Sequence, residues 1–136
     1  MNLLDLTEIV KAADGATSAG TDVNGSTIDT SDCEGVVFFA RIATANAGNF
    51  LKAQEGDTTS PTADIAGSKV IATESGQIVA LDVHKPLKRY IRAVIVRAGT
   101  NTVTGDLFAV KYGARKLPES GADVNVIVAS PAAGTP

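Results

Sequence analysis

The chain is 136 residues long, 44% hydrophobic and 20% charged, with a formal net charge of −3. That balance describes one globular domain able to bury a core and excludes a disordered chain, while the acidic sum gives no footing for nucleic-acid binding. No apolar run approaches the ~20 residues of a membrane span, and the single cysteine, Cys33, allows no intrachain disulfide and fits a reducing compartment.

Residues 2–13 read as a short helix, with Leu3, Leu6 and Ile9 or Val10 at helical spacing and Gly15 to end it, or as an extended arm that docks on a neighbour. Acids stand there where a signal peptide carries basic residues, so no export signal is expected. Residues 14–26, small and polar with an Asn24-Gly25 turn, lead into a first strand near 27–30.

Residues 35–43 are the strongest strand. Val36, Phe38, Ala40 and Ile42 share one face, and Val37, Phe39, Arg41 and Ala43 the other. Both faces are mostly apolar, which predicts a central strand covered on both sides, the second cover being another segment or another subunit. Asn46-Ala47-Gly48-Asn49 turns the chain, and 50–54 is expected to return as the hairpin partner.

A polar loop spans 55–67, a short strand 69–72, a Ser75-Gly76 turn and a strand 77–83. His84-Lys85-Pro86-Leu87-Lys88 breaks the pattern. Residues 89–97 then alternate, with Ile91, Ala93 and Ile95 opposite Tyr90, Arg92, Val94 and Val96. A turn at 99–101 leads to a strand over 102–112 with a bulge expected at Gly105. A last strand is predicted over 122–129 with Val124, Val126 and Val128 inward, followed by the small-residue tail SPAAGTP.

About eight mostly short strands joined by loops of unequal length predict an all-β sandwich, jelly-roll or Ig-like, with an N-terminal arm or short helix. The expected division is an arm and linker over 1–24, a sandwich over 25–129 and a tail over 130–136. Phe38, Ile42, Leu81, Ile91, Ile95, Phe108 and Val126 are the predicted core. Leu3, Leu4, Leu6, Ile9 and Val10 form an apolar cluster read as a docking arm, the alternative being a helix that plugs the open end of the sandwich.

Charge is unevenly placed. The first 34 residues hold Asp5, Glu8, Asp14, Asp22, Asp29, Asp32 and Glu34 against Lys11 alone, while the stretch between Asp82 and Asp106 holds Lys85, Lys88, Arg89, Arg92 and Arg97 and no acid. These segments attract each other within a subunit or between subunits, or each is a solvated surface. Lys85, Lys88, Arg89 and Arg92 are the candidate contact residues of the basic stretch.

Catalytic chemistry finds no support in the pattern. A proton-relay triad needs a histidine, and His84, the only one, sits beside Lys85-Pro86 with no nucleophile signalled. Cys33, just before an apolar strand, reads as a small hydrophobe. One Cys and one His do not make a zinc site, and Glu55, Asp57 and Asp64 match no calcium-loop spacing. No glycine-rich loop lies between a strand and a helix. No catalytic, cofactor or metal residue is therefore expected, and no cofactor.

GVVFFARIATANAGNFLKAQEGDTTSPTADIAGSKV and LDVHKPLKRYIRAVIVRAGTNTVTGDLFAVKYGARKLP, with the ending VASPAAGTP, resemble a family of small virion-associated proteins of tailed bacteriophages over roughly residues 25–136. The genes of that family tend to lie near that of the major capsid protein. Some β-sandwich proteins in that genomic place are decoration, or cement, proteins of the head. The resemblance implies a non-enzymatic structural protein made in the host cytoplasm and carried on the capsid surface. It implies the major capsid protein as partner and a homotrimer as the state, with no nucleic acid or membrane. The alternatives are a head–tail completion or tail-associated protein, and a host-surface or carbohydrate-binding module that would use Phe50, Tyr90 or Tyr112.

Overall fold

A computed structural model describes residues 2–115, 121–127 and 134. It is an all-β sandwich. Twelve strands are seen among the described residues, four of them only two residues long. A single turn of helix, α1 (Leu3–Leu6), precedes β1 (Thr7–Ala13), β2 (Ala16–Ala19), β3 (Val23–Asn24), β4 (Ile28–Asp29), β5 (Gly35–Arg41) and β6 (Asn49–Gly56). The chain continues through β7 (Ala63–Asp64), β8 (Val70–Ile71), β9 (Ile78–His84), β10 (Tyr90–Arg97), β11 (Thr102–Thr104) and β12 (Leu107–Tyr112).

One sheet has the order β1-β12-β5-β9. The other has the order β3-β10-β6-β7, with β4 also on β10 and β8 also on β6, and β2 pairs β11 in a separate ribbon. The long strands alternate between the sheets: β5, β9 and β12 lie in the first, β6 and β10 in the second. Residues 50–54 are thus not the hairpin partner of the strongest strand. The turn at 46–49 carries the chain across the sandwich, where β6 pairs with β10 over its whole length from Asn49 to Gly56. The partners of β5 are β12 and β9.

The N-terminal segment is a second correction. Helix persists only over Leu3–Leu6, and the β-branched run that starts at Thr7 turns it into an edge strand registered on β12 from Thr7↔Tyr112 to Ala13↔Leu107. Residues 7–13 are therefore part of the sheet, not a free arm. The five apolar side chains do not act together: Val10 packs on the core, Leu4, Leu6 and Ile9 are half-buried, and Leu3 is exposed.

Between the sheets lies one cluster in which Phe38, Ile42, Leu51, Ile91, Ile95 and Leu107 are fully buried. Ala40, Ala53, Ala93 and Ala109 are small members of that cluster, leaving room for Phe38. Of the predicted core, Phe38, Ile42, Ile91 and Ile95 are buried and Leu81 packs against the cluster, but Phe108 and Val126 do not belong to it. The break at Gly105-Asp106 resets the phase of the following strand, so Leu107 and Ala109 point inward and Phe108 outward. Residues 122–127 form no strand, and Val126 is 79% exposed. Val128 and the end of that predicted strand lie outside the described residues.

The core ends in polar groups at both ends of the sandwich. On β10 the inward series Ile91, Ala93, Ile95 continues to Arg97, only 4% exposed, and its register partner on β6 is the fully buried Asn49. Arg97 donates from Nε to the Thr21 carbonyl (2.6 Å), from Nη1 to those of Thr17 (2.7 Å) and Thr102 (2.9 Å), and from Nη2 to Thr21 Oγ1 (3.2 Å). Asn49 donates to the Thr44 and Thr100 carbonyls and accepts from the Gly99 and Thr100 amides. At the other end Lys111, on the inward phase of β12, meets Asp32 at 2.8 Å and Glu8 at 3.6 Å. Burial alone would lower the Lys111 pKa, but the Asp32 and Glu8 carboxylates outweigh it and the net direction is up.

Candidate interaction surface

The two outer sheet faces differ in chemistry. That of the second sheet is laced with polar contacts: Lys52 with Asp64 (2.9 Å), Gln54 with the same carboxylate (2.8 Å), Arg92 with Gln54 (2.8 Å), and Lys69 over the Phe50 ring. The outer face of the first sheet is apolar at its centre, with Lys11 on the β1 edge and Asp82 on the β9 edge. Cross-strand register aligns Ile9, Val110 and Val37 in one row, and Phe108, Phe39 and Ala80 in the next. The Phe39 and Phe108 rings touch, centroids 5.4 Å apart. Ile78, 70% exposed, extends the patch beside Arg41. A hollow of about 180 Å³ opens between Phe39, Phe108, Ile78, Arg41 and Asp106. The sequence expectation of a strand apolar on both faces is thus met, and the second face of β5 remains partly solvent-accessible.

One end of this face is polar. Gly35 lies in register between Tyr112 and His84. A Cβ at Gly35 would collide with the Tyr112 ring, so its absence lets that ring lie across the strand and stack on His84 (centroids 5.9 Å, 3° between planes). Tyr112 Oη donates to Asp82 (2.5 Å), which uses its only proton, so His84 Nδ1 donates to Tyr112 at 3.0 Å. Burial, and then the Asp82 carboxylate, push the Tyr112 hydroxyl pKa well up. The lone histidine therefore sits at the end of β9 orienting a tyrosine. Cys33 is buried, its Sγ directed at the Thr30 carbonyl.

The structure disperses the basic stretch. Arg89 grips Asp29 through two bonds, Nε at 3.0 Å and Nη2 at 2.8 Å, and Lys88 pairs with Asp57 at 3.0 Å. Arg92 serves Gln54, and Arg97 is internal. Asp29 and Arg89 thus satisfy the attraction between acidic start and basic centre within one subunit. The fork of Arg89, and the Ser31 amide, hold the Asp29 carboxyl well below the usual carboxylate range. Lys85 is the exception. It makes no side-chain hydrogen bond or ion pair among the described residues, and its backbone sits at φ +51°, where a Cβ is unfavourable. Asp57 and Asp64, weighed above as calcium-loop acids, are engaged by Lys88, and by Lys52 with Gln54. Among the described residues no helix is long and apolar enough to cross a membrane.

The Asp29–Arg89 pair yields a pH test. A carboxyl whose folded pKa is depressed contributes stability above its unfolded pKa of about 4 and loses it as pH falls toward the folded value. The melting-temperature gap between the parent and Arg89→Leu should be constant above about pH 4 and shrink as acid is added. A gap that widens in acid would show that the pair does not titrate this way.

No protein-family model matches the chain, and no curated protein shows significant similarity to it. Sequence patterning alone misses the polar core ends, because Arg97 continues a run of exposed-looking cations. It also misses the outward turn of Phe108, which depends on a break in the strand.

Proposed function

We propose that this protein is a non-enzymatic structural component of a tailed-bacteriophage virion that binds the outside of the capsid lattice and stabilises the head by bridging capsomers. The major capsid protein is its partner, the capsid surface its place, and a homo-oligomer, a trimer by the family resemblance, its state. The observation that carries the reading is the apolar outer face of the first sheet. A two-sheet sandwich needs one apolar face per sheet, and Ile9, Val37, Phe39, Phe108 and Val110 make a second that a partner would cover. The resemblance of residues 35–70 and 81–118 to virion-associated proteins supplies the identity of that partner. A head under internal DNA pressure gains from rigid clamps, and a sandwich closed at both ends by Arg97 and Lys111 networks is rigid in the required sense.

Cosedimentation tests this. Heads of the encoding phage that lack this protein should bind the purified chain saturably, in a fixed ratio to capsomers, and melt at higher temperature once decorated. No binding at tens of micromolar, roughly the range where a real interface persists, would end the proposal. Density only at the head–tail junction in electron micrographs would move the protein to the completion role.

A further inference from the structure

The first sheet ends on one side in β1 and on the other in β9. The β1 edge is closed off. It carries Lys11, its register slips between Lys11 and Ala13, and Gly121 is bonded to Thr7 and Ile9 along it. A lysine, a bulge and a covering segment are devices that keep an edge from recruiting another strand. The β9 edge has none of them. Ile78–His84 is seven residues long, without Lys, Pro or a register slip, and no strand lies beyond it among the described residues. The end strands of the second sheet, β3 and β7, are only two residues each.

The register of β9 on β5 decides which of its backbone groups are open. The Lys85 N–H reaches the Glu34 carbonyl (2.8 Å) at one end, and the Ile42 N–H reaches the Gln77 carbonyl (3.1 Å) at the other. Both contacts continue the pairing that runs from Gly35↔His84 to Arg41↔Ile78. Bonded and non-bonded pairs alternate in an antiparallel ladder, so the odd-numbered residues of β9 bond to β5. Ile78, Ala80, Asp82 and His84 therefore turn their N–H and C=O outward, and all four residues are exposed. The Asp82 and His84 side chains leave the edge clear, because both reach the Tyr112 hydroxyl across β5. The loop at 65–68 stands off from the edge across a hollow of about 190 Å³, and a Cβ at its Gly67 would meet nothing within 4 Å.

We propose that the β9 edge is an interface for a second copy of this chain, the two β9 strands pairing antiparallel about a two-fold axis at Leu81. The edge is complementary to itself. In this register Ile78 faces His84 of the other copy and Ala80 faces Asp82, so every outward residue exchanges both of its backbone bonds. A slip of one residue sets outward groups against inward ones and loses the ladder. A slip of two residues in either direction loses a pair, and one of those slips opposes Asp82 to Asp82, which is unfavourable. The contact is isologous and joins the two first sheets into one. It goes beyond the proposed function and does not rest on it: no capsid group takes part, and a three-fold contact elsewhere on the subunit would give a pair of trimers.

Sedimentation of the purified chain at roughly tens of micromolar, where a real interface persists, should give a dimer or a pair of trimers. Ala80→Pro should halve that mass and leave the subunit folded, because the lost N–H points away from β5 and proline is tolerated at such an edge position. Ala80→Asp keeps the N–H but opposes an acid to Asp82 at two symmetric places, so it should weaken association about tenfold. Ala80→Lys should strengthen it. A monomeric or purely trimeric parent would overturn the contact. So would an Ala80→Pro protein of parental mass, or one that fails to fold, since its N–H would then serve β5. Ala80→Asp and Ala80→Lys shifting association alike would refute the register and with it the two-fold pairing at Leu81.

Discussion

Replacing Arg97 by methionine should be among the most damaging single changes to this chain, at about 3–5 kcal/mol. Methionine keeps most of the volume of the stem, so the loss is that of the charged fork. The Thr102 carbonyl loses its donor in the buried interior, while those of Thr17 and Thr21, on exposed residues, lose theirs at the part-buried end of the sandwich. A buried carbonyl left unpaired costs about 1–3 kcal/mol, and one that water can reach costs less. The damage is not local, because those carbonyls belong to β2, the loop after it and β11, which the guanidinium ties to the end of β10. Arg92→Met is the control. It lies five residues earlier on the same strand, faces outward and holds only the Gln54 side chain, so it should cost about 0.5 kcal/mol. Urea unfolding of the two variants decides it: equal midpoints would mean that the buried fork contributes nothing beyond a surface contact.

The same residue shows where reading the sequence stops. Alternation identifies 35–43 and 89–97 as strands and assigns their inward sides correctly, because period-two patterning follows from backbone geometry alone. It cannot say that the inward series of β10 ends in an arginine satisfied by carbonyls from β2 and the loop after it, 76–80 residues earlier in the chain, because such partners are set by topology. Phe108 fails for another reason: a break of two residues at Gly105-Asp106 reverses every side chain after it, and composition does not count the phase. The candidate surface was half legible. The two-faced apolarity of β5 is in the sequence, but Ile9 and Val110, which extend it into a patch, are recognisable only once β1 and β12 are known to flank it. The basic stretch misleads, since counting cations does not reveal that Asp29 and Asp57 already take two of them.

Adjacent phenylalanines on β5 should respond in opposite ways, and the contrast separates folding from function. Phe38 is fully buried between the sheets, and Phe38→Ala should cost about 3–5 kcal/mol through lost transfer energy and the cavity left behind. Phe39 and Phe108 form a half-buried pair on the outer face, so Phe39→Ser should cost much less, on the order of 1 kcal/mol, in the isolated subunit. The two outer substitutions should not add, because each removes the partner of the other. If the outer face is the contact surface, Phe39→Ser should keep nearly the parent's melting temperature and lose capsid binding, since a hydroxyl placed in a dry interface is left without a partner. Phe38→Ala should do the reverse, melting far lower yet binding normally at temperatures where it stays folded. A Phe39→Ser protein as unstable as Phe38→Ala would mean that the outer face is already covered within one subunit and is not available to a partner.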